Sequence, residues 1–183
     1  METTEKIVEA YVRYVRRWAT IPNIKCDGQF EIDLLAIDPI RLERYHIESG
    51  VSVSGSFSAL TAKPYDPEDL KIRGKIGSAR RTLDYFIKRK FGEENVIKRL
   101  GEYGFERGKY SRVIVTWGWT EGAAQKAKSE NVILWDFRDL IDEIAEASRH
   151  QRSHFTDDTI RTLQLYMRAM GHREQSVAKG GES

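Results

Sequence analysis

Two carboxylates stand in the middle of apolar, strand-like runs. Asp33 lies in "FEIDLLAID" (residues 30–38) and Glu48 in "RYHIESGVSVS" (residues 44–54). Side chains alternate across a strand. That places Ile32, Leu34 and Ala36 on one face of the first run, with Glu31, Asp33, Leu35 and Ile37 on the other. On the second run His46, Glu48 and Gly50 share a face. A turn centred between Ile40 and Arg41 makes the strands antiparallel and sets Asp33 opposite Glu48 on the same side. Two carboxylates so close repel each other. A shared hard cation relieves that repulsion, and Mg²⁺ takes one or two carboxylates with water and phosphate oxygens. Such an ion polarises a phosphodiester and acidifies bound water. The alternative is a solvated face on which Asp33 and Glu48 pair with arginines. Glu31 and Asp38 fit solvated or capping roles, and His46 either contacts a substrate or is an ordinary sheet histidine.

The elements that must hold these residues follow from periodicity. Ile7, Val8, Tyr11, Val12, Val15 and Trp18 have helical spacing, which predicts a helix over residues 4–19 capped by Thr3 or Thr4. "IPNIK" is extended and leads to the turn signal Asp27-Gly28. A third short strand is expected near Ser56–Thr61. Ile72, Ile76, Ala79, Leu83, Phe86 and Ile87 predict one helix ending at Gly92. "YSRVIVTWG", "TEGAAQKAKSEN", "VILWDF" and "RDLIDEIAEASR" read as strand, helix, strand, helix, a parallel right-handed unit. "FTDDTIRTLQLYMRAMG" reads as a last helix, stopped by Gly171. The expected class is α/β, a mixed central sheet flanked by helices on both faces, with an extra C-terminal helix.

The chain has 183 residues, 40% apolar and 32% charged, with a formal charge of +2. That fits one domain and does not by itself announce nucleic acid. The single cysteine, Cys26, excludes an intramolecular disulfide. No apolar run reaches membrane-spanning length, and the acidic start is wrong for a secretory signal, so a cytoplasmic protein without membrane contact is expected. "HREQSVAKGGES" reads as a disordered tail.

Taken together, "EIDLLAID", "RYHIESGVSVS" and "VIVTWGWTEGAAQKAKSENVILWDFRDLIDEI" resemble the PD-(D/E)xK, or restriction-endonuclease-like, nuclease superfamily. In look the sequence is nearest its type IV restriction endonuclease and archaeal Holliday-junction resolvase-like members. The resemblance covers roughly residues 4–146. It implies a nuclease domain over residues 1–146, a helical extension over 147–171 and a tail over 172–183. It also implies Mg²⁺- or Mn²⁺-dependent hydrolysis of DNA, with Asp33 and Glu48 as metal ligands and catalytic residues, and a homodimer in many members. A glutamate of the first helix assists in some members; Glu5 suits that role better than Glu9. The sequence departs from the pattern at the lysine: Glu48-Ser49-Gly50 stands where Glu-x-Lys is expected. Either another cation is supplied, from Lys63, Arg73 or Lys75, or the site works weakly without one, or the chain is a degenerate module that binds without cutting. Lys75 is the residue assigned the lysine's catalytic role here.

Lys71, Arg73, Lys75, Arg80, Arg81, Lys88, Arg89 and Lys90 make the middle of the chain locally basic. Such a cluster tracks phosphates or is a solvated helix face. Arg73, Lys75, Arg80 and Arg81 are the nucleic-acid contacts expected. Trp117 and Trp119 either stack on bases or pack in the core.

Overall fold

The computed structural model describes residues 2–52, 59–150 and 157–180, without the side chains of residues 150 and 171–180. Five strands form one mixed sheet in the order β1-β2-β3-β4-β5. They are β1 (Ala19–Cys26), β2 (Phe30–Ile37), β3 (Arg44–Ser49), β4 (Ser111–Thr116) and β5 (Val132–Asp136). The first three pair antiparallel, whereas β3–β4 and β4–β5 are parallel. The expected α/β class with a mixed sheet is therefore observed.

Antiparallel strands need only a tight turn, and Asp38 supplies it. Its carboxylate accepts the backbone N–H groups of Ile40 and Arg41 at 2.9 and 3.2 Å. Leu34 then pairs with Ile47 and Leu35 with His46, the register expected from the sequence. The parallel unit needs a helical crossover, α5 (Glu121–Ser129), begun by Thr120, whose hydroxyl accepts the Ala123 N–H.

Helices cover both faces. On one, Val8, Tyr11 and Val12 and, from α6 (Phe137–His150), Leu140 and Ile144 pack on Leu34, Ile47, Val113 and Val115. On the other, Leu83, Phe86 and Phe91 pack on Ile114 and α5, while Val96 and Leu100 of α4 (Glu94–Glu102) cover Ile32 and Leu35. Strict alternation puts Ile32 with Leu34; it sits with Leu35 instead. The β1–β2 ladder skips Asn23 and Asp33, and Asn23 has a left-handed backbone with φ 56°. The pleat is interrupted at the residue that carries the carboxylate.

Several elements differ from the periodic reading. The first helix, α1 (Thr3–Ala10), widens into a π-helical turn over Tyr11–Val15, and the Glu5 carboxylate accepts the Glu2 N–H at 2.9 Å in place of a threonine cap. The one helix expected after residue 72 is three pieces: α2 (Ile76–Ala79), α3 (Leu83–Tyr85) and a π-helical turn over Phe86–Phe91. The break comes at Thr82, whose extended backbone and hydroxyl cap a new start by accepting the Tyr85 N–H. Near the expected third strand, Ser56–Ser58 lie outside the described residues, and Leu60 and Thr61 make only isolated bridges. The last helix, α7 (Asp158–Gly180), runs through Gly171. One helical glycine costs about 1 kcal/mol, and helix-favouring Arg173, Glu174 and Gln175 follow it.

The start of α7 packs against α1, with Ile160 on Ala10, and against α6 (Phe137–His150). Among the described residues no helix is long and apolar enough to cross a membrane. Replacing Ile114, fully buried between β3 and β5, by Ala should cost about 2–5 kcal/mol. Urea unfolding measures it, and a loss near zero would contradict the packing described.

Candidate functional site

The interrupted ladder frees the Asp33 backbone. Its N–H turns to Glu48 Oε1 at 3.4 Å, while Asp33 Oδ2 accepts the Ser49 N–H at 2.8 Å. The adjacent strands thus hold both carboxylates from below. Each is buried, Glu48 completely. Two buried carboxylates side by side need a cation. Lys90 provides it: its Nζ lies 3.0 Å from Asp33 Oδ1 and 2.5 Å from Glu48 Oε2.

Lys90 belongs to the π-helical turn Phe86–Phe91, not to β3. The reason lies at Gly50. A β-carbon there would fall 2.9 Å from Cζ of Phe86, which is itself buried. Position 50 has no room for a side chain because Phe86 fills the space over the strand end. Residues four apart lie on one side of a helical turn. The turn that brings Phe86 onto Gly50 therefore also brings Lys90 onto the carboxylates.

Fully buried His46 completes the cluster, its Nε2 2.7 Å from Glu48 Oε1 and its ring edge-on to Phe91 at 4.8 Å. Burial, helped by the positive charges of Lys90 and Arg112 and opposed by Asp33, pushes its pKa down to about 3. The ring is neutral at neutral pH, and against a carboxylate that Lys90 holds ionised the matching tautomer is the one with the hydrogen on Nε2, donating to Glu48. That engages Oε1 and leaves Oε2 to the cation.

The electrostatics are those of a pair short of positive charge. Burial first, then the neighbouring Glu48, raises the Asp33 pKa to about 7, against the opposing pull of Lys90 and the Ser49 N–H. Burial also raises Glu48, opposed by Lys90. For Lys90, burial lowers the pKa, but Glu48 and Asp33 outweigh it and hold the ammonium firmly protonated.

Asp33 and Lys90 open into a cavity of about 560 Å³ that Ser49, Gly50, Arg80 and Arg81 also line. Glu5 lies on its wall, its pKa raised by burial and then by Asp33 and Glu31 despite the Glu2 N–H. Of the expected phosphate contacts, Arg80 and Arg81 reach this cavity. Arg73 and Lys75 are exposed and do not line it, and Lys75 pairs with Asp69 at 2.8 Å. Lys63 is exposed too. The cation on the carboxylates is Lys90 and not Lys75, because the break at Thr82 swings residues 83–91 over the strand ends while residue 75 stays outside. Glu9 turns away to accept from Thr20 at 3.2 Å. Trp117 packs edge-on against Phe137 at 4.9 Å and donates to Ser52 O, and Trp119 packs beside the Leu83–Phe86 cluster.

Among the described residues, no group of three or more His, Cys, Asp and Glu side chains gathers as a metal centre. The donor set is two carboxylates converging on one cation position, which the Lys90 ammonium takes. Hard oxygens in that number suit Mg²⁺ or Mn²⁺, which complete their shells with water and substrate oxygens. No protein-family model, curated protein or solved structure matches this chain.

Two outcomes follow for the metal-free protein. Gly50→Ala forces Phe86 to move and should cost about 1–3 kcal/mol in urea unfolding; an unchanged midpoint would mean that Phe86 does not fill this space. Asp33 has a folded pKa above its unfolded one, so it adds stability at low pH that fades as pH rises from about 4 through about 7. In EDTA the wild type should therefore lose stability between about pH 5 and pH 7, by at most about 1.4 kcal/mol per pH unit for this group, and Asp33→Asn should flatten the slope. Equal slopes in the two proteins would rule out a raised Asp33 pKa.

Proposed function

We propose that the chain is a metal-dependent endonuclease that hydrolyses DNA phosphodiester bonds. One observation carries the reading: Lys90 Nζ touches both Asp33 and Glu48 at the wall of a cavity that also takes Arg80 and Arg81. Asp, Glu and Lys are the three residue types of the superfamily the sequence resembles, here with the lysine supplied by the helical turn. Asp33 and Glu48 are the residues that would hold Mg²⁺ or Mn²⁺. When bound, the ion supplies Lewis-acid polarisation of a phosphate oxygen and a water made acidic enough to attack at neutral pH.

The remaining roles belong to this chain's own groups. Lys90 stays protonated, so it suits stabilising charge on the phosphate in the transition state and does not suit taking a proton. Arg80 and Arg81 bind and orient the flanking phosphates. His46 and the Ser49 N–H fix one oxygen of each carboxylate so that the others face the cation. Self-association into a homodimer through α7, which exposes Leu165, Tyr166 and Met170, and a cytoplasmic location belong to the same proposal.

A second reading is favoured by the ion cluster itself. Lys90 already compensates the two carboxylates, so the triad could be a fixed structural core of a module that binds nucleic acid without cutting it. Branched, duplex and single-stranded DNA incubated with Mg²⁺, Mn²⁺ or EDTA separates the two. A nuclease cuts only with metal, Asp33→Ala abolishes cutting, Lys90→Met lowers it about 10²–10³-fold, and Lys75→Met leaves it unchanged. DNA bound but uncut under every metal condition would select the second reading.

A further inference from the structure

The π-helical turn separates two cavities. Phe86 and Lys90 line the one beside the carboxylates; Ile87, Lys88 and Phe91 line another of about 770 Å³, closed by Arg107, Tyr110 and Arg112.

Its charge is one-sided. Lys88, Arg107 and Arg112 face a single acid, Glu130. Arg107 and Arg112 form no ion pair with a carboxylate among the described residues, and the Lys88–Asp84 contact is long, at 3.9 Å. Arg112 is the most telling. It is rooted in β4 beside His46, half-buried, with its guanidinium 5.9 Å from the centre of the Phe91 ring. It donates a hydrogen bond to a backbone carbonyl, that of Glu130. A guanidinium set beside an aromatic ring, without a carboxylate partner, keeps donors available for an anion. Arginine's planar fork suits a phosphate. Tyr110 and Phe91 give the cavity apolar walls, which strengthen such an interaction.

We propose that this second cavity binds a backbone phosphate of the nucleic-acid strand, away from the bond that is cut, with Arg112 and Arg107 as the contacts and Lys88 at the rim. The inference rests on the nucleic-acid part of the proposed function. Phosphates recur along a strand, so two cationic cavities flanking one helical turn can hold the same strand on both sides of Lys90.

The test is binding of labelled DNA to the full chain in EDTA, where nothing is cut, over about 50 to 200 mM potassium chloride. The slope of log affinity against log salt should fall by about 1 in Arg107→Gln and by about 2 in Arg107→Gln/Arg112→Gln. Arg99→Gln, which breaks an exposed pair with Glu102, should leave it unchanged. Arg107 is exposed, so the single variant stays informative if the double variant melts early. Wild-type slopes in both variants, with Arg80→Gln/Arg81→Gln still weakening binding, would overturn the second cavity and leave the proposed function standing. Absence of DNA binding by the wild type would overturn both.

Discussion

Two carboxylates buried side by side on adjacent strands are an electrostatic debt that the fold has to meet. Burial raises both pKa values, and the charge of Glu48 pushes Asp33 up further. The surroundings are arranged around that constraint. The Ser49 N–H and His46 each engage one carboxylate oxygen, and Lys90 engages the remaining two. The Asn23–Asp33 break in the ladder releases the N–H that reaches Glu48. Even the packing of Phe86 on Gly50 serves this geometry, because it fixes the turn that delivers the ammonium.

The same arrangement explains why a motif with a missing residue is compatible with a complete cluster. In a Glu-x-Lys element the lysine is two residues from the glutamate and points the same way because side chains alternate. Here that position is a glycine under an aromatic ring. Under the proposed function the cation comes instead from Lys90 on the helical turn, in contact with both carboxylates. Spatial position is what acts on a phosphate, so the chemistry depends on the charge cluster and not on the spacing of letters.

The sequence made the strand pair legible because two local rules agree there. Asp38 starts a tight turn, and apolar alternation on both sides tolerates only one register. The parallel β4–α5–β5 unit was legible for a similar reason: Thr120 and the change of period mark its boundaries. The β1 strand was harder, since Pro22 and the left-handed Asn23 interrupt its pattern and it looked like a short extended piece. Lys90 was missed because residues 72–91 fit one continuous helix on paper. A capped break at Thr82 and a π-helical turn rotate the later residues away from that reading. A signal was present in the spacing: Lys90 follows Phe86 by four residues, the separation that puts both on one side of a helical turn. Arg73 and Lys75 lie before the break, which is why neither followed the helical turn to the carboxylates.

The distance along the chain between Lys90 and its partners has a consequence for how the molecule assembles. Asp33 and Glu48 can meet as soon as a hairpin closes, but Lys90 is 57 residues from Asp33 and must be brought in by a separate element. Until residues 83–91 dock, a nascent hairpin exposes two charges that cannot be buried without large cost. Burial of the carboxylates therefore depends on a long-range contact, whose closure entropy is larger than that of the hairpin. The finished cluster therefore ties the β2–β3 pair to a segment far along the chain, and removing Lys90 leaves two buried carboxylates without their cation.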